Sequence, residues 1–333
     1  MTGGLGVSTA LRSSAVLGLG HYRPRRVVPN AEVVEAIDST DEWIQQRSGI
    51  IERRFASEDE TVVAMSVSAA RDAIAQAGIQ PGQLDTVIVA TVSHLLQTPS
   101  AATAIAHELG TTGAAFDISA ACAGFCHGLA LASDLVRVGT ARHVLVVGVE
   151  RLSDITSRED RGTAFIFSDG AGAAVVGPAE DQGIGPVVWG SDGGKYDLIR
   201  QNEDWRDVVA AGSTSMPHLV MQGREVFRWA AFEMAKVASE TLERSGVRLE
   251  DLDVFVPHQA NMRIIDAMAR AMKLPEHVTI ARDIAHQGNS SAASVPLALR
   301  QMVLDGEAHS GDLALLIAFG AGLSFAAQVI RVP

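Results

Sequence analysis

The stretch Phe116-Asp117-Ile118-Ser119-Ala120-Ala121-Cys122-Ala123-Gly124-Phe125 decides the fold. An apolar strand ends, a tight turn of small residues follows, and a helix begins at or beside the cysteine. Outward from it, short β-branched runs alternate with longer helical segments. Residues 86–92, 115–118, 143–149 and 171–176 read as buried strands. Residues 62–77, 100–109 and 122–138 carry helical spacing. Continuous apolar strands between helices imply a sheet covered on both faces, an α/β layered architecture.

The second half repeats this logic after a polar, turn-rich interval at 183–215. A long amphipathic helix at 225–246 precedes a strand at 253–256. A helix at 260–272, a strand at 278–281 and the apolar runs 313–318 and 325–332 close the chain. The halves share an outline, which points to duplication and divides the chain into 1–178 and 179–333. The segment before Ala15, where the first strand is expected to start, reads as mobile.

Composition narrows the function classes. The chain has 333 residues, enough for about two domains or one duplicated one. With 47% hydrophobic and 20% charged residues, general disorder is excluded. Mean hydropathy is +0.17, yet no run approaches the ~18–20 apolar residues of a membrane span. Met1 to Leu11 lacks a basic start leading into an apolar run, so a cytoplasmic, non-secreted protein is expected. A net charge of −12 argues against general nucleic-acid binding but permits a local basic patch. The two cysteines, Cys122 and Cys126, form no disulfide framework and no C-x-x-C pair. No histidine–carboxylate spacing suggests a metal site.

Four motifs carry chemistry. A thiol at a helix start meets unpaired N–H groups and the positive end of the macrodipole, both of which favour thiolate. On local sequence alone Cys122 reads equally as nucleophile or structural thiol; Cys126, one turn on, reads as core. His258, in Val256-Pro257-His258-Gln259-Ala260-Asn261, follows a strand at the sheet edge where α/β proteins bind ligands. In isolation it is more often a satisfied core histidine. Asn289, in Gly288-Asn289-Ser290-Ser291-Ala292-Ala293-Ser294, is by itself a turn or cap residue. Phe319-Gly320-Ala321-Gly322-Leu323 is a tight turn that either joins two strands or aims N–H groups at an anion.

Together, in this order and spacing, the motifs resemble β-ketoacyl-acyl-carrier-protein synthase III of the thiolase superfamily. Asp41-Glu42-Trp43-Ile44, Arg47-Ser48-Gly49-Ile50, Asp160-Arg161-Gly162-Thr163 and Ser168-Asp169-Gly170-Ala171-Gly172 add to the resemblance, which covers about residues 15–332. It implies a duplicated five-layer α-β-α-β-α fold and a homodimer. It implies that Cys122 takes an acyl group from acyl-coenzyme A, with the backbone N–H groups of Cys122 and Ala321 as oxyanion hole. His258 and Asn289 would stabilise the enolate left when malonyl-acyl carrier protein loses CO2. Trp43, Arg161 and Arg47 would bind coenzyme A, Thr98 and Phe319 would line the acyl pocket, and Arg228, Arg263 and Arg270 would dock the acyl carrier protein. No tightly bound cofactor, metal, membrane or nucleic acid is implied.

Two departures from the family pattern bear on the starter group. Thr98 stands where some members carry a large aromatic, and Ser290 replaces the commoner threonine. Fatty-acid initiation is the leading expectation. Priming of an aromatic polyketide synthase, a non-decarboxylating acyltransferase and a non-catalytic partner are the alternatives.

Overall fold

The computed structural model describes residues 11–333. The expectation about a secretory segment falls almost wholly on residues outside the described ones. Two five-stranded sheets carry the fold. The first runs, in space, Ser13–Tyr22, Asp169–Ala179, Val144–Arg151, Thr86–Ala90, Ala114–Ile118. The second runs Val188–Ser191, Ser324–Arg331, Leu313–Gly320, Val254–Pro257, Thr279–Ile280. Counted along the chain within each sheet, both orders read first, fifth, fourth, second, third. In both, the first–fifth and fifth–fourth pairs are antiparallel and the other two parallel. The two sheets repeat one topology.

Strand alternation explains the layering. Val87 and Val89 face the outer helices Val62–Gln76 and Ala101–Leu109, whereas Ile88 points inward to the helix Gly124–Arg137. In the second sheet, Leu315 and Ile317 face the outer helices Gly223–Ser245 and Met262–Met272. Leu316 and Ala318 face inward, to a middle layer made by Gly124–Arg137 and Ser294–Leu304. Because both faces of each sheet are covered, its inner strands must be apolar throughout. The result is the five-layer α-β-α-β-α arrangement that the resemblance implies.

Several elements differ from the sequence reading, each for a local reason. The first strand begins at Ser13, two residues before the expected start. The cysteine-bearing helix begins at Gly124, after a separate 3-10 turn Ala121–Ala123. Ala121 has φ +45°, a left-handed conformation that helical geometry does not allow. The interval 183–215 holds the strand Val188–Ser191, which completes the second sheet, and the short helix Trp205–Ala210. Four residues including a glycine are too few for a periodic signal. The antiparallel strand pair Arg26–Pro29 and Glu52–Phe55 carries charges that mask it in the sequence. Arg53 is fully buried there, donating to the carbonyls of Val28 and Phe165 and to Asn30 Oδ1, and burial lowers it to about 10.

One close approach positions the site. A Cβ on Gly148 would lie 2.2 Å from the Ala292 carbonyl oxygen. Only glycine lets the strand Val144–Arg151 touch the turn Ser291–Ala293, which puts Glu150 beside Ser291.

Candidate active site

Cys122, His258 and Asn289 come from three distant segments and line one cavity of about 650 Å³. Cys122 follows the strand Ala114–Ile118, His258 follows Val254–Pro257, and Asn289 follows the short helix Ile284–Gln287. The first two sit at the C-terminal ends of parallel strands, the usual ligand edge of an α/β sheet. Cys122 also lines a second cavity of about 720 Å³. The thiol therefore stands at the junction of two chambers.

The imidazole is held from several sides. The backbone N–H of His258 donates to the Ile317 carbonyl at 2.7 Å, and Phe319 packs on the ring edge-on with centroids 5.5 Å apart. Gln259 braces the turn: its amide donates to the Pro257 carbonyl, and its oxygen accepts from Ile284 N–H. Ser294 Oγ lies 2.6 Å from His258 Nδ1 and accepts from Gln259 N–H at 3.3 Å. The opposite tautomer would leave a buried hydroxyl proton without an acceptor, costing about 1–3 kcal/mol. The hydroxyl proton therefore goes to Nδ1, and Nε2 carries the ring proton. Burial pushes the imidazole down to about 3, so it is neutral at physiological pH. A hydroxyl donor at Nδ1 fixes a donating Nε2.

Asn289 is oriented the same way. Its backbone pairs with Ile166 and Ser168, and its Oδ1 accepts from Ser291 N–H at 2.9 Å. With the carbonyl end engaged, the donor end, Nδ2, remains for the cavity. The site thus brings together a thiol and two neutral donors.

Cys122 departs from the electrostatic expectation. Burial pushes its thiol up to about 12; the neighbouring Ser291 hydroxyl works the other way, and the Glu150 charge raises it further. The helix starts two residues later than expected, and desolvation outweighs the favourable N–H groups. The resting group is a thiol. Cys126 is fully buried in the core, as the sequence indicated. Gly320 packs directly on the cysteine: a Cβ there would stand 2.6 Å from Cys122 N. This contact brings Ala321 to the chamber wall beside Cys122.

The outer mouth of the 650 Å³ cavity is aromatic and basic. Thr40 caps the helix Asp41–Ser48 by accepting from Trp43 N–H. The Trp43 ring meets Phe165 edge-on, with the Arg161 and Arg47 guanidinium groups 5.0 and 5.5 Å from its centroid. Arg228 and Arg263 line the same mouth; the first pairs with Glu225 and the second lies over Phe227. Arg270 is exposed further along the helix Met262–Met272 and does not line the cavity. Arg224, one turn before Arg228, lines it and was missed by the sequence reading.

The acyl-pocket residues come out differently. Thr98 is exposed and borders neither chamber, and Phe319 belongs to the His258 side. The 720 Å³ chamber is walled instead by Leu95, Leu96, Ile155, Phe167, Trp205 and Leu219. Leu95 and Leu96 lie in the loop that carries Thr98, but periodicity gives no direction to side chains in a loop. Ser290 Oγ is buried without a partner. Among the described residues no cluster of metal-ligating side chains occurs, and no helix is long and apolar enough to cross a membrane.

Comparison with known proteins agrees with this geometry. The family model for 3-oxoacyl-acyl-carrier-protein synthase III matches residues 116–193, and that for its C-terminal part matches 242–332. The β-ketoacyl-acyl-carrier-protein synthase III of Streptomyces glaucescens is 56% identical over 319 residues, 96% of each chain. The solved priming β-ketosynthase of a polyketide biosynthetic pathway superposes with TM-score 0.96 at 49% identity, covering 99% of each chain. The 3-oxoacyl-acyl-carrier-protein synthase III of Aquifex aeolicus superposes with TM-score 0.88 at 38% identity, over 96% of this chain and 100% of that one. Fold, site and similarity lead to one conclusion: the chain belongs to the β-ketoacyl-acyl-carrier-protein synthase III family of condensing acyltransferases.

Proposed function

We propose that this synthase starts acyl chains by taking an acyl group from coenzyme A on Cys122 and condensing it with malonyl-acyl carrier protein. The observation that carries the reading is the convergence of Cys122, His258 and Asn289 on one cavity with a Trp43–Arg161 mouth. In the first half-reaction Cys122 sulfur attacks the thioester carbonyl, and coenzyme A leaves as a thiolate. The N–H groups of Cys122 and Ala321 hold the developing oxyanion. In the second half-reaction the malonyl carboxylate leaves as CO2. Its electron pair forms an enolate whose oxygen accepts from His258 Nε2–H and Asn289 Nδ2–H. The enolate carbon then attacks the acyl group and expels the Cys122 sulfur. Two neutral donors suit an enolate; a non-decarboxylating acyltransferase has no use for them.

The starter chain occupies the 720 Å³ chamber, and its apolar wall suits a hydrocarbon group. The adenine of coenzyme A stacks on Trp43, with Arg161 moving to the far face of the base. Trp43→Ala is expected to raise the KM for acyl-coenzyme A about 10-fold with little change in kcat, checked by steady-state kinetics. Arg228 and Arg263 form a basic rim that steers an acidic carrier protein despite the net charge of −12; Arg270 extends it. The partners are acyl-coenzyme A, malonyl-acyl carrier protein and a second copy of the chain. Dimerisation is supported by Ala114–Ile118, an edge strand of the first sheet with Phe116 39% exposed. The compartment is the cytoplasm, and no bound cofactor is required.

Fatty-acid initiation is supported by the curated relatives. Priming of a polyketide pathway is the second reading, favoured by the likeness to the solved priming ketosynthase. The test is condensation with malonyl-acyl carrier protein across acetyl-, isobutyryl-, hexanoyl- and decanoyl-coenzyme A, followed by mass of the 3-oxoacyl product. A product from at least one donor is expected, and the preferred donor assigns the starter class. A folded protein that yields none from any donor overturns the proposal.

A further inference from the structure

One buried ionisable group near the thiol has no part in the steps above. Glu150 follows the apolar run of the strand Val144–Arg151, one residue before its end, with a fully buried side chain. Its Oε2 accepts from Thr91 Oγ1, Val92 N–H and Ser93 Oγ. Its Oε1 accepts from Ser291 Oγ at 3.2 Å and makes a longer contact to Val92 N–H at 3.3 Å. None of these partners is a cation. Ser291 also lines the chamber beside Cys122, near enough for its hydroxyl to lower the proton affinity of the thiol. Its hydroxyl is aimed by a left-handed backbone (φ +49°) and by its own N–H, bound to Asn289 Oδ1. One serine therefore stands beside the thiol and is hydrogen-bonded to a buried carboxylate.

We propose that Ser291 and Glu150 form a proton relay that takes the Cys122 proton during acylation and returns it during condensation. The inference rests on Cys122 as acyl carrier. As the Cys122 sulfur bonds to the thioester carbon, the thiol proton passes to Ser291 Oγ, whose own proton passes to Glu150 Oε1. The C–S bond to coenzyme A breaks, and the departing thiolate is protonated by solvent. Glu150 stays neutral while the acyl group is held. When the enolate carbon displaces the Cys122 sulfur, the proton returns along the same path and restores the thiol. Each cycle then consumes one solvent proton, as decarboxylative condensation requires.

The electrostatics fit this use. Burial pushes the Glu150 carboxyl up to about 7, near the ideal for an exchanging group at neutral pH. Of the charged groups on adjoining elements, Arg151 pairs with Asp154 at 3.2 Å, and Asp169 accepts from Ala56 and Ser153. Cys122 feels the Glu150 charge. Glu150 must be ionised to accept the proton, so acylation rises with pH through its titration.

The test compares wild type with Glu150→Gln, Glu150→Asp and Ser291→Ala. Cys122 acylation by acyl-coenzyme A is followed by rapid-quench mass spectrometry from pH 5.5 to 9, and condensation by the pre-acylated enzyme is followed separately. Glu150→Gln and Ser291→Ala are expected to slow acylation about 10²-fold and to lose its rise near pH 7. Glu150→Asp is expected to keep the rise. A folded Glu150→Gln that acylates at the wild-type rate, or more slowly with the same pH rise, overturns the relay. If Glu150→Gln does not fold, an unchanged pH profile in Ser291→Ala does so. A wild type that takes no acyl group overturns the reading of Cys122 itself.

Discussion

Cys122→Ala is expected to take up no acyl group from any acyl-coenzyme A and to lose condensation by at least about 10⁴-fold. The reason is the covalent division of labour. The acyl chain must leave coenzyme A before malonyl-acyl carrier protein occupies the same mouth, and Cys122 is the thiol at the junction of the two chambers. Cys126 cannot substitute, because it is fully buried in the core. Intact-protein mass after brief exposure to donor checks the prediction: one adduct on wild type, none on the variant. The variant should keep its fold, since alanine fits where Gly320 crowds the backbone. An adduct that persists in Cys122→Ala would move the nucleophile elsewhere.

His258→Ala should separate the half-reactions. The acyl adduct on Cys122 still forms, while CO2 release from malonyl-acyl carrier protein falls about 10²–10³-fold, the usual cost of one oxyanion donor. Loss of acylation together with decarboxylation would contradict the roles assigned here. Ser294→Ala is expected to act in the same direction with a smaller effect, about 10-fold, because Nδ1 loses the hydroxyl that keeps the proton on Nε2. Imidazole ¹⁵N resonances would show the protonated nitrogen change from Nε2 in wild type to a mixture in the variant. The pH dependence has a definite sign. Since burial lowers His258 to about 3, the folded protein keeps it neutral where the unfolded chain, near 6.5, is protonated. The imidazole therefore adds no acid limb to condensation between pH 5 and 8. The same shift makes the fold less stable as pH falls below 6.5, because the unfolded chain then binds the extra proton.

The layered α/β fold was legible because its strands are long apolar runs and its helices are periodic. Val144–Arg151 and Leu313–Gly320 announce themselves by composition. Val188–Ser191 and the strand pair Arg26–Pro29 and Glu52–Phe55 do not, since their pairing partners lie far along the chain. Cys122 and His258 were visible in strand-end motifs and Asn289 after a glycine turn, the three joined by a resemblance. Glu150 left a trace, a carboxylate directly after the apolar run of its strand. Ser291 and Ser294 left none beyond a run of small residues.

By itself the sequence determined the architecture, the family and the residues that can bear the chemistry, because burial patterns and short motifs are local. Tertiary structure decided what state those residues are in. The thiol is protonated because packing dries it, against the helix-end expectation. The Nε2 tautomer exists because Ser294 meets His258 across 36 positions. The 720 Å³ chamber is walled by Leu95, Leu96 and Trp205 and not by Thr98, because side-chain direction in a loop is set by what packs against it. Desolvation and hydrogen-bond geometry depend on distances between segments remote in sequence, and folding alone sets those distances.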